Sequence, residues 1–64
     1  MSNVVEIDVI APIPGKRRFK RSQILRCKVS VTDPDRVVVR LADQSVMVVT
    51  KTSLDRADVP VMPA

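Results

Sequence analysis

The chain has no tryptophan, tyrosine or histidine, and only one phenylalanine, one cysteine and one glycine. Each shortage removes a class of protein. Without histidine, no side chain has an ordinary pKa suited to proton transfer near neutrality, and the common zinc-site spacings are absent. A lone Cys27 closes no internal disulfide. The single Gly15 is too few for either common glycine-rich phosphate cradle. The 7 acidic residues are dispersed through turns and ends, with no pair isolated in apolar sequence that would raise a carboxyl pKa. Cys27 falls between Arg26 and Lys28 on a strand face that reads as inward, where a thiol acts as a small inert hydrophobe. A binding protein is expected rather than an enzyme, with no catalytic residue, no metal and no cofactor.

Long apolar runs are missing as well. No window approaches the roughly 18 apolar residues that span a bilayer, so no membrane contact is expected. Met1 to Glu6 lacks the basic and apolar regions of a signal peptide, which with one cysteine sets a cytoplasmic expectation. Sixty-four residues make a single small β domain over 1–64. Such a chain buries only about 60% of its unfolded surface. Small domains compensate with disulfides, metals or oligomerisation, and only the third remains open here.

What is present is valine, and it alternates. Val4 to Ile10 reads as a strand with Val5, Ile7 and Val9 on one face and Glu6 and Asp8 on the other. Ala11-Pro12-Ile13-Pro14-Gly15 interrupts it. Ile24 to Thr32 places Leu25, Cys27, Val29 and Val31 inward. Asp33-Pro34-Asp35 turns the chain, and Arg36 to Ala42 returns with Val37, Val39 and Leu41 inward. A two-residue turn at Asp43-Gln44 leads into Ser45 to Lys51, with Val46 and Val48 inward. Keeping the apolar faces together pairs Thr32 with Arg36 and Ala42 with Ser45. Thr52 to Ala57 carries a capping hydroxyl and an early acid, consistent with one helical turn. Residues 58–64, with Pro60 and Pro63, read as an edge strand or flexible tail.

The order is strand, long loop, three-strand meander, short helical turn, edge strand, which is similar to that of the SH3-like barrels. The resemblance is one of element order. It implies an all-β fold, either a small SH3-like barrel or a strongly curled antiparallel sheet.

The net charge of +4 is unevenly spread. Lys16, Arg17, Arg18, Lys20 and Arg21 lie within six positions, and no acid occurs between Asp8 and Asp33. Such a loop favours anionic partners and matches closely spaced phosphates; the plainer alternative is a solvated loop. Phe19, inside the run, either stacks on a base or folds back into an aromatic-poor core. In the inferred register Lys28 opposes Arg40 on the outer face beside Arg26. Like charges so placed destabilise a sheet, unless an anion meets them or the side chains splay in water. Ile24, Val38, Met47 and Val49 share that outer face, and their need for cover points to a homo-oligomer.

Three functions fit. The first is a module that contacts nucleic acid, DNA or RNA, through the basic loop and the strand residues Arg26, Lys28 and Arg40. The second is a small inhibitor or adaptor that sets the same surface against an acidic protein. The third is a homo-oligomer that sequesters a small anionic ligand such as a nucleotide.

Overall fold

Branching at Cβ restricts χ1 and packs well on a pleated surface, so alternating valine and isoleucine select extended backbone. The computed structural model of the protein describes residues 3–62. Five antiparallel strands form one sheet: β1 (Val4–Ala11), β2 (Gly15–Lys20), β3 (Ile24–Val29), β4 (Arg36–Leu41) and β5 (Val46–Thr50). Their spatial order is β2-β1-β5-β4-β3, and the sheet is not closed into a barrel. One short helix, α1 (Lys51–Arg56), follows β5. The all-β expectation holds, in an open sheet.

The sheet must nevertheless curl. Its two edges, β2 and β3, are consecutive in the chain, joined only by a 3-10 turn at Arg21–Gln23. Four strand spacings in a flat sheet would separate them by roughly 19 Å, whereas the links from Lys20 to Ile24 reach at most about 14 Å. Bulges at Val9/Ala11 in β1 and at Ile24/Arg26 in β3 supply local twist.

The inner face carries the core. Val5, Ile7, Val9, Cys27, Val37, Val39, Met47 and Val49 are buried, and Leu54 of α1 closes one end. Thr50 caps α1, its hydroxyl accepting from the Ser53 N–H at 3.3 Å, and the buried Ser53 hydroxyl donates to the Thr50 carbonyl at 2.9 Å. The helix thus starts before the expected Thr52, and no acid lies in its first turn. Beyond it, the Val29 N–H donates to Met62 O and the Met62 N–H to Cys27 O, laying the chain parallel to β3. Within the expected 58–64 segment, residues 63 and 64 lie outside the described residues. No helix among the described residues is long and apolar enough to cross a membrane.

Three sequence readings are corrected. Lys16–Arg21 is not a long loop: Gly15–Lys20 forms β2 and pairs with β1. An edge strand needs few apolar residues, because Lys and Arg stems cover what lies beneath them. In the second correction, the β3–β4 register is two residues from the inferred one, pairing Val29 with Val37 and Cys27 with Val39. The hairpin closes at Ser30 N–H to Arg36 O, so the connection takes five residues and Val31 stands 84% exposed. An even shift preserves the faces, so Cys27 keeps its inward place. At the bulge, Leu25 is ejected into solvent and Ile24 turns to pack against the core.

The third correction is the β4–β5 register, which differs by one residue and therefore inverts β5. Val39 opposes Met47 and Val37 opposes Val49. The turn holds three residues, not two. The Gln44 N–H donates to Leu41 O, the Leu41 N–H to Ser45 O, and Gln44 sits at φ 73°. That is a three-residue hairpin loop, a β-turn followed by a left-handed residue. Asp43 locks it by accepting from both the backbone N–H and the hydroxyl of Ser45, which holds its carboxyl below the ordinary value.

Candidate functional site

The basic run is divided by the alternation of β2. Lys16, Arg18 and Lys20 share the outer face, opposite Asp8, Glu6 and Val4, whereas Arg17 and Phe19 oppose Ile7 and Val5 on the inner face. Glu6 lies 4.0 Å from Lys16 Nζ and 3.7 Å from Arg18 Nε. Exposed pairs of this kind contribute little to stability, but they cancel part of the local field. Acids that precede the run in sequence are folded directly onto it. The sequence does carry a signal for this: acids two apart at 6 and 8 mirror cations two apart at 16 and 18 about Pro12.

Phe19 is partly buried and packs against the core, and the Arg17 guanidinium stands 5.8 Å from its ring centroid. Arg21 is turned to another use. It donates to Ala57 O at 2.7 Å and to Asp58 O at 3.4 Å, tying the β2–β3 turn to the end of α1. Arg21→Ala is therefore expected to cost about 1 kcal/mol, lowering the thermal midpoint by roughly 4–8 °C. Circular dichroism melts check this, and an unchanged midpoint would show that the clamp is idle.

A second group of cations is undivided. Arg26 and Arg40 are directly opposed across β3 and β4, and Lys28, two residues along, opposes Val38. The register difference thus exchanges the expected Lys28–Arg40 pair for Arg26–Arg40. Among the described residues, ion pairs engage Lys16, Arg18, Arg36 and Lys51 and leave Arg26, Lys28 and Arg40 without an acidic partner. These three border a shallow groove of about 570 Å³ whose apolar lining includes Val38 and Val46, 39% and 48% exposed. All three stand on strands, so their backbone positions are fixed by the ladder.

The expected oligomer face is largely dismantled. Met47 and Val49 are core residues because β5 is inverted, and Ile24 packs against the core because of the bulge. Of the four, Val38 alone stays on the outer face. Cys27 is buried, and desolvation pushes its thiol above the ordinary value, keeping it protonated near neutrality. No family model, curated protein or solved structure matches the chain.

Proposed function

We propose that the protein is a non-enzymatic binding module that holds the phosphate backbone of a nucleic acid on the outer face of β3 and β4. One observation carries this reading. Arg26, Lys28 and Arg40 project from adjacent strands on one face, with no acid among the described residues to neutralise them. Arg26 and Lys28 are two residues apart along β3, about 7 Å, a separation on the scale of successive phosphates along one nucleic-acid strand. The direct opposition of two arginines costs a few tenths of a kcal/mol or more in the free protein, and an anion between them reverses the sign. Phosphate contacts position a partner without reading bases, so sequence preference is expected to be weak.

The SH3-like comparison stays one of element order, since a strand replaces the long first loop. Sequestration of a small ligand between subunits loses the apolar interface on which it rested.

The test is a salt titration of binding to labelled DNA and RNA, followed by fluorescence anisotropy. Three phosphate contacts give a slope of log affinity against log salt of roughly −2 to −3. A slope near −4 or steeper would bring the β2 cations into the site. Absence of binding to either polymer at low salt would end the nucleic-acid reading.

A further inference from the structure

An open sheet has two edges, and each presents backbone groups that can pair with another strand. At β3 the chain covers its own edge, through the bonds between Met62 and the backbone of Cys27 and Val29. Among the described residues nothing covers β2 in this way. Its pairing shows which groups are left open. The Arg21 N–H donates to Asn3 O at 2.7 Å, so Asn3–Arg21 is a hydrogen-bonded pair. Antiparallel ladders alternate, so Val5–Phe19 and Ile7–Arg17 are hydrogen-bonded as well, and Glu6–Arg18 and Asp8–Lys16 are not. Lys16, Arg18 and Lys20 therefore turn their amides away from β1. Lys20 confirms the direction, its N–H leaving the ladder for Gln23 Oε1 at 2.8 Å. What remains is the N–H and C=O of Lys16 and Arg18, aimed at solvent along a regular strand.

The residues that offer these groups also carry the outer-face cations, and that selects the occupant. A second copy of this chain would set Lys16, Arg18 and Lys20 against their own counterparts, and like charges across a strand pair are unfavourable. An incoming strand with acids at alternate positions places a carboxylate against each cation while its backbone extends the ladder. We propose that the β2 edge accepts an extended acidic segment of another protein as a sixth strand. Main-chain bonds would supply affinity and the alternate acids selectivity, as in other strand-addition complexes. This site is separate from Arg26, Lys28 and Arg40 and stands whether or not nucleic acid binds there.

The probe is a capped hexapeptide of alternating Glu and Val, added to the full-length, 15N-labelled chain. Amide hydrogen exchange at Lys16 and Arg18 is expected to slow on the order of tenfold or more, with little change at Arg17 and Phe19, already bonded to β1. Arg18→Pro removes an outward N–H and no bond to β1. It is expected to weaken the peptide by about tenfold more than Arg18→Gln, which removes the charge alone. Exchange in the unmodified protein stands on its own if the proline variant misfolds. Equal binding of an alternating Glu-Gly peptide with the same charge, protection at Arg26 and Lys28 instead, or no protection at all would overturn the proposal.

Discussion

Val49→Asp is expected to leave the chain unfolded at 25 °C, whereas Val46→Asp, on the same strand, folds with a change within about 0.5 kcal/mol. Val49 is fully buried between Val9 of β1 and Val37 of β4. A carboxylate placed there has neither water nor a cationic partner, and an unpaired buried charge costs several kcal/mol. A domain of this length has only about 3–10 kcal/mol of stability in total. Val46 is half-exposed and opposes Arg40, so an aspartate there meets an opposite charge across the strands. Far-UV circular dichroism and urea titration of the two variants decide the matter. An unfolded Val46→Asp beside a folded Val49→Asp would restore the two-residue Asp43-Gln44 turn and with it the opposite face of β5.

That pair of variants also marks where sequence reading ends. Alternation located β1, β3, β4 and β5, because apolar residues at every second position have one extended solution and the turns are punctuated by Pro, Gly and Asp; β2, which has no such pattern, read as a loop. The facing of β1, β3 at Cys27, and β4 followed from the same alternation. β5 could not be settled that way, since Val46-Met47-Val48-Val49 is apolar on both faces. Its facing depends on whether the preceding turn holds two residues or three. A left-handed Gln44 decides that, at φ 73°, and glutamine is not a residue that advertises positive φ. The bulge that ejects Leu25 is equally silent, for Ile24 and Leu25 are both apolar and either can face the core.

The candidate site was legible in part for the same reason. Arg26, Lys28 and Arg40 were readable as one outward cluster because an even change of register leaves faces alone. The basic run was misread as uniform because charge was counted along the chain. In the sheet, Glu6 and Asp8 return to stand opposite Arg18 and Lys16. Sign along a sequence and sign on a surface differ wherever a hairpin brings two segments together.

Replacing Arg26, Lys28 and Arg40 together with alanine is expected to lower nucleic-acid affinity on the order of a hundredfold at low salt and to flatten the salt slope towards zero. The control is the triple replacement of Lys16, Arg18 and Lys20, which removes the same three charges from the other edge. If net charge alone attracted the polymer, both variants would lose equally. The structure separates them, because Glu6 already lies against two of the three β2 cations and Asp8 faces one of them. The control is therefore expected to keep most of the affinity and most of the slope. Stability supplies an independent reading. Removing the Arg26–Arg40 opposition relieves a repulsion, so the first variant should melt no lower than the wild type while binding far less. Residues that the fold does not need, and that it carries at some cost to itself, are those expected of a contact surface. Equal losses in the two variants, or a first variant that binds as the wild type does, would remove the β3–β4 face from the site.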